Sequence, residues 1–140
     1  MATLKGYKKV GSPFTNDSET VKVTYDFSVD AGAVGALDVL LAEQNCVITG
    51  FYMVVETAAT SGGSMTLDVG ITGDTNLLLA DLAVASMTAG SLHKPTIVEG
   101  TPNVLPMPVK LASAAKVLFE IKTATLLTGK MHMYFTVQRY

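Results

Sequence analysis

At 140 residues and 14.7 kDa the chain has the length of one domain, enough to bury about 70% of the surface its unfolded form exposes without a disulfide or a metal. Apolar residues make up 49% and charged ones only 16%, with a formal net charge of -2. That balance gives the domain as a whole no electrostatic case for nucleic-acid binding and predicts that some apolar surface is covered by other subunits.

Residues Met1 to Thr20 differ in character from the rest of the chain. Lys5, Lys8 and Lys9 cluster around Tyr7, and Gly6, Gly11, Pro13 and Asn16 argue against regular structure. The sequence therefore predicts two regions. Residues 1–20 form a flexible or subunit-binding arm with Lys5, Tyr7, Lys8, Lys9 and Phe14 as its partner-binding residues, and residues 21–140 form the folded domain. The chain opens without an apolar signal-peptide core, which predicts a protein not secreted by such a signal.

Val21 to Val29 alternates strictly, with Val21, Val23, Tyr25, Phe27 and Val29 on one face, and predicts a strand. Leu37 to Leu41 predicts a short strand and Cys46 to Glu56 a long one, in which Gly50 marks a bulge or a close backbone approach. Cys46 is the only cysteine; in an apolar run it suits a small core residue and makes no internal disulfide, which fits assembly in a reducing compartment.

The stretch Ser64 to Gly90 is the most structured part of the pattern. Met65, Leu67 and Val69 alternate as a strand, which the loop Thr60 to Ser64 should join to the preceding strand as an antiparallel hairpin. The chain then breaks at Gly70 to Asp74. Asp74 and Asn76 suit an N-cap, and Leu78, Leu82 and Ala85 fall on one helical face, predicting a short helix over Leu77 to Ala85. Neither this segment nor Cys46 to Val55 approaches the roughly 20 apolar residues of a membrane span.

Prolines 95, 102, 106 and 108 punctuate the next region and leave short strands near Thr96 to Val98 and Val109 to Ala112. Lys116 to Thr123 and Lys130 to Arg139 alternate again, with Val117, Phe119 and Ile121, then Met131, Met133, Phe135 and Val137, on their apolar faces. About eight short strands and one inserted helix make the fold class all-β, an antiparallel β-sandwich of jelly-roll type.

The chemistry-bearing motifs are missing. The sequence has no G-x-S-x-G elbow, P-loop or paired-cysteine metal spacing, and its two histidines, His93 and His132, are far apart. Asp68, Asp74, Asp81 and Asn76 lack the dense spacing of a calcium loop and suit turn and cap roles. The expectation is a protein that is not an enzyme, with no catalytic or metal residues and no cofactor. What remains suits a protein that acts as a surface and a contact.

The run from Val55 to Gly90, VETAATSGGSMTLDVGITGDTNLLLADLAVASMTAG, followed by Val109 to Tyr140, resembles small virion proteins of tailed bacteriophages, the head decoration or cement proteins with a jelly-roll-like domain. The resemblance covers about the last two thirds of the chain and brings no catalytic residues with it. It implies a capsid-surface protein, made in the host cytoplasm, that binds the major capsid protein lattice as a homotrimer and clamps neighbouring subunits. The charge balance and the short apolar runs add the expectation of no nucleic-acid and no membrane partner. The alternative is an accessory tail or head-fibre module that binds a host-surface glycan or receptor.

Overall fold

The computed structural model describes residues 2–10, 18–95 and 107–140. Two sheets pack face to face. One contains β1 (Ala2–Val10), β3 (Gly35–Ala42), β5 (Thr66–Ile71), β6 (Asp74–Ala83) and β9 (Lys116–Lys122), in the order β1-β3-β9-β5-β6. The other has β2 (Glu19–Asp26), β4 (Cys46–Ser61), β7 (Leu92–His93), β8 (Val109–Leu111) and β10 (Leu126–Arg139), in the order β2-β10-β4-β7, with β8 pairing farther along β4. Setting β1 aside, successive strands mostly switch sheets, and the two orders are those of a jelly roll. All pairings are antiparallel except that of β1 with β3.

The alternation seen in the sequence becomes the core. Val117, Phe119 and Ile121 of β9 face Met131, Met133, Phe135 and Val137 of β10 across the sandwich, all essentially without solvent contact. Tyr25 of β2 stacks on Phe119 with ring centroids 4.8 Å apart, tying the two sheets together. Cys46 is a buried core thiol, and burial raises its pKa. In β4 the buried positions change phase, from Cys46 and Ile48 to Phe51, Met53 and Val55. The change falls where Gly50 pairs with Thr136 and Ile48 with Val137, leaving Thr49 as the extra residue of a bulge beside the glycine.

Four expectations need correction. β2 stops at Asp26, and Phe27–Asp30 form a short α-helical turn, α1. The Asp26 carboxylate caps it by accepting from the Ser28 backbone N–H at 3.0 Å, which local capping chemistry favours over two more strand residues. Val29, read as part of the apolar face, is 54% exposed.

The second correction is that Leu77 to Ala85 is not a helix. It belongs to β6, followed by one 3-10 turn at Val84–Ser86. Its pairing with β5 steps from Thr66↔Ala83 and Leu67↔Leu82 to Val69↔Leu79 and Ile71↔Asp74, so β6 carries extra residues twice. These irregularities bring Leu78 and Leu79 inward and half-bury Leu82, a spacing that imitates a helical face. Asp81 adopts φ 49° in the irregularity between Leu79 and Leu82, where its backbone N–H donates to Asp68 Oδ1 at 2.7 Å. Asp74 and Asn76 are strand residues of β6 and not helix caps; Thr72-Gly73, with Gly73 at φ 91°, makes a two-residue turn into β6. Leu78→Ala should still cost about 2–3 kcal/mol, the lower end for a buried leucine because an edge strand can partly collapse. Leu82→Ala should cost less. Urea midpoints within error of wild type at Leu78 would contradict its buried position.

Third, β4 and β5 do not form a hairpin. Residues Gly62–Met65 carry the chain to the opposite sheet, where β5 pairs with β6 and β9. Fourth, the N-terminal stretch is not without regular structure, since Ala2–Val10 form β1 on the edge beside β3 and β2 begins at Glu19. The strand expected over Thr96 to Val98 lies outside the described residues. No helix among the described residues is long and apolar enough to cross a membrane.

Candidate partner-binding surface

Of the five residues singled out in the N-terminal stretch, Lys5, Tyr7, Lys8 and Lys9 share β1; Phe14 lies outside the described residues. β1 is held from within by Leu4, which is buried in the core. Against β3, Thr3 faces Asp38 and Lys8 faces Leu40, so the residues between them bulge. Gly6 in that bulge lies against the Thr24 backbone of β2. The Lys5 backbone N–H donates to Asp30 Oδ1 at 2.8 Å, while Asp30 Oδ2 accepts from the Asp26 N–H at 3.0 Å. One carboxylate thus fastens β1 to the helical turn α1.

The side chains left over on β1 are cationic and aromatic. Lys5, Lys8 and Lys9 are exposed, and none makes an ion pair among the described residues. Lys116 and Lys122 in the same sheet are paired. Lys122 Nζ bridges Asp68 at 3.0 Å and Asp81 at 2.8 Å, and the hydrogen bonds to Asp81 and then Asp68 raise its pKa. Those two aspartates therefore hold an ammonium. Tyr7, 39% exposed, lines a cavity of about 300 Å³ with Thr3, Asp38, Leu41 and Lys116. Lys116 Nζ donates to Asp38 Oδ2 at 2.8 Å; Asp38 Oδ1 has no donor among the described residues. Sequence reasoning missed Thr3, Asp38, Leu41 and Lys116, although a lone aspartate inside the apolar run Ala36 to Ala42 was a visible signal.

The outer face of the other sheet carries a second polar arrangement. Tyr52 of β4 and Tyr134 of β10 stack at 4.7 Å, and the Lys22 ammonium lies 5.9 Å from the Tyr134 ring. One row along, Thr24 Oγ1 lies 2.8 Å from His132 Nδ1, and His132 Nε2 bonds Glu56 Oε2. A hydroxyl, an imidazole and a carboxylate in line suggest nucleophile chemistry. Yet the three side chains stand on three neighbouring strands, with Thr24 directly opposite His132 in the β2–β10 ladder and Glu56 as the extra residue between Val55 and Thr57 of β4. We read the set as a cross-strand tie between β2, β10 and β4.

The tie has a pH signature. The hydrogen bond from His132, more than the nearby Lys130, holds the Glu56 carboxyl below its ordinary 4.5, against a smaller opposing effect of desolvation. A depressed folded-state pKa stabilises above the unfolded value and is lost as pH falls below it. Between about pH 6 and pH 3 the wild-type melting temperature should therefore fall further than that of Glu56→Gln. Parallel falls would show that Glu56 contributes no such linkage.

No protein-family model and no curated protein matches the chain. Solved structures do. A chain of the cyanophage Pam1 capsid asymmetric unit superposes with a TM-score of 0.62 at 12% identity, covering 94% of this chain and 91% of that one. A chain of the capsid of Ralstonia phage GP4 gives 0.59 at 16% identity, covering 94% and 90%. A chain of the capsid of Helicobacter pylori bacteriophage KHP30 gives 0.59 at 14%, covering 86% of each. This chain shares its fold with chains found in three bacteriophage capsids. The likeness runs over nearly the whole of both partners, so it includes the core sandwich and not one common hairpin. At such identities what is shared is backbone arrangement, and the side chains of β1 and its cavity remain this chain's own.

Proposed function

We propose that this chain is a non-enzymatic structural virion protein of a tailed bacteriophage. In this reading it decorates the head, binding the outer surface of the major capsid protein lattice and stabilising it. The observation that carries the reading is the near end-to-end superposition, in both directions, on chains of three phage capsids. The cationic, tyrosine-bearing edge at Lys5, Tyr7, Lys8 and Lys9 supports a contact role and supplies the partner-binding residues. A protein that binds the closed lattice and not its separated subunits stabilises the shell by mass action. Particles carrying the chain should contain it in numbers comparable to the major capsid protein, and stripping it should lower the temperature at which the shell opens. A few copies at one vertex would instead indicate a tail or fibre module.

Self-association belongs to the same proposal. Val34, Leu92, Leu127 and Tyr140 each expose about half or more of their surface, in a chain with only 16% charged residues. A homotrimer would cover part of this area and let three modest contacts act together on the lattice. Sedimentation at micromolar concentration should show a species near three times 14.7 kDa. A monomer at every concentration would exclude the free trimer.

A further inference from the structure

We propose that β1 and the cavity beside it form a docking groove for an extended acidic segment of the lattice protein. An apolar side chain of that segment seats against Tyr7 and Leu41, and its carboxylates pair with Lys5, Lys8 and Lys9. The proposal rests on the reading of the chain as a capsid-binding protein and names the chemistry of the contact.

Three independent features converge on this edge. The first is charge. The domain is slightly acidic overall, with a formal net charge of -2, yet β1 concentrates three exposed lysines that have no carboxylate partner among the described residues. Such a field attracts an acidic partner and orients it on approach. The second is position, because β1 is the last strand of its sheet. Lysines on an edge strand can simply repel other strands. A purely repulsive edge has no use for an aromatic ring 39% exposed beside an open cavity. The third is the cavity itself, about 300 Å³, with Tyr7 and Leu41 as apolar walls and Thr3, Asp38 and Lys116 as polar ones. A pocket walled by a half-exposed tyrosine, on the same strand as three exposed lysines, has the elements of an interface hot spot and a charged rim. Asp38 and Lys116 neutralise each other at 2.8 Å, so the charge that a partner meets is that of the β1 lysines.

The test uses the full chain and the particle that carries it. Stripped particles are re-decorated with wild type, with Lys8→Glu/Lys9→Glu, with Tyr7→Ala and with the control Lys22→Glu/Lys94→Glu, over a salt series. Wild type should bind, with affinity falling as salt rises. The β1 charge reversal should weaken binding by about tenfold or more per lysine and flatten the salt dependence. Tyr7→Ala should weaken binding with the salt dependence intact, and the control should match wild type. Carbodiimide treatment of decorated particles should join Lys5, Lys8 or Lys9 to an aspartate or glutamate of the lattice protein. If wild type fails to bind, the capsid-binding reading itself falls. If wild type binds and the β1 variants bind equally well, the groove is wrong while that reading stands. Cross-links from these lysines only to carboxylates of other copies of this chain would equally overturn the groove.

Discussion

Phe119→Ala should destabilise the domain by about 3–5 kcal/mol, near the upper end for truncating a buried aromatic residue. Phe119 has no solvent exposure and occupies β9, the central strand of its sheet. It pairs with Leu37 of β3 on one side and Val69 of β5 on the other. Above it lies the Tyr25 ring at 4.8 Å. The cost of such a cavity depends on whether the neighbours can fall into it, and here they are pinned. Both flanking strands are fixed by ladder hydrogen bonds, and the Tyr25 hydroxyl donates to the Ala31 carbonyl, which holds the ring in place. Val29→Ala, at an exposed position of the helical turn, should stay within about 0.5 kcal/mol of wild type. Urea unfolding of both variants gives the comparison. A loss below about 2 kcal/mol at Phe119 would mean that the two sheets close over the missing ring.

The same residue shows why the sandwich was legible in the sequence. Val117, Phe119 and Ile121 alternate because a strand with one face on the core has a period of two, and that period survives any topology. Cys46 to Val55 and Met131 to Val137 were readable for the same reason, and Gly50 announced its bulge. Topology was harder, because alternation says which face is buried and nothing about which strand lies alongside. The expected β4–β5 hairpin failed on this point: a short Gly-rich loop serves equally to turn back or to cross to the facing sheet. β6 failed differently, its irregularities placing Leu78, Leu79 and Leu82 at helix-like intervals. The candidate site was half visible. Its lysines and Tyr7 stand together in sequence, whereas Asp38, Leu41 and Lys116 join them only through the pairing of β1 with β3 and of β3 with β9.

Two glycines in mid-strand should respond to alanine in opposite ways. Gly70 of β5 is buried, and a Cβ there would meet the Asp74 carbonyl oxygen and the Thr75 carbonyl carbon, each at 2.3 Å. The start of β6 folds back across this position, so the obstruction is backbone and cannot swing aside. Overpacking against side chains typically costs about 1–3 kcal/mol, and a backbone obstacle places Gly70→Ala at about 3 kcal/mol or more. The damage should centre on the Thr72-Gly73 turn and on the ladder between β5 and β6. Gly50 of β4 faces open space by comparison: its Cβ would sit 3.7 Å from the Thr136 side chain, an ordinary contact. Gly50→Ala should be neutral or stabilise by less than about 1 kcal/mol, through the reduced freedom of the unfolded chain. Thermal and urea midpoints of the two variants, with amide exchange across Thr66–Ala83, would measure the contrast. Similar midpoints for both variants would show that β6 does not cross Gly70 as closely as 2.3 Å requires.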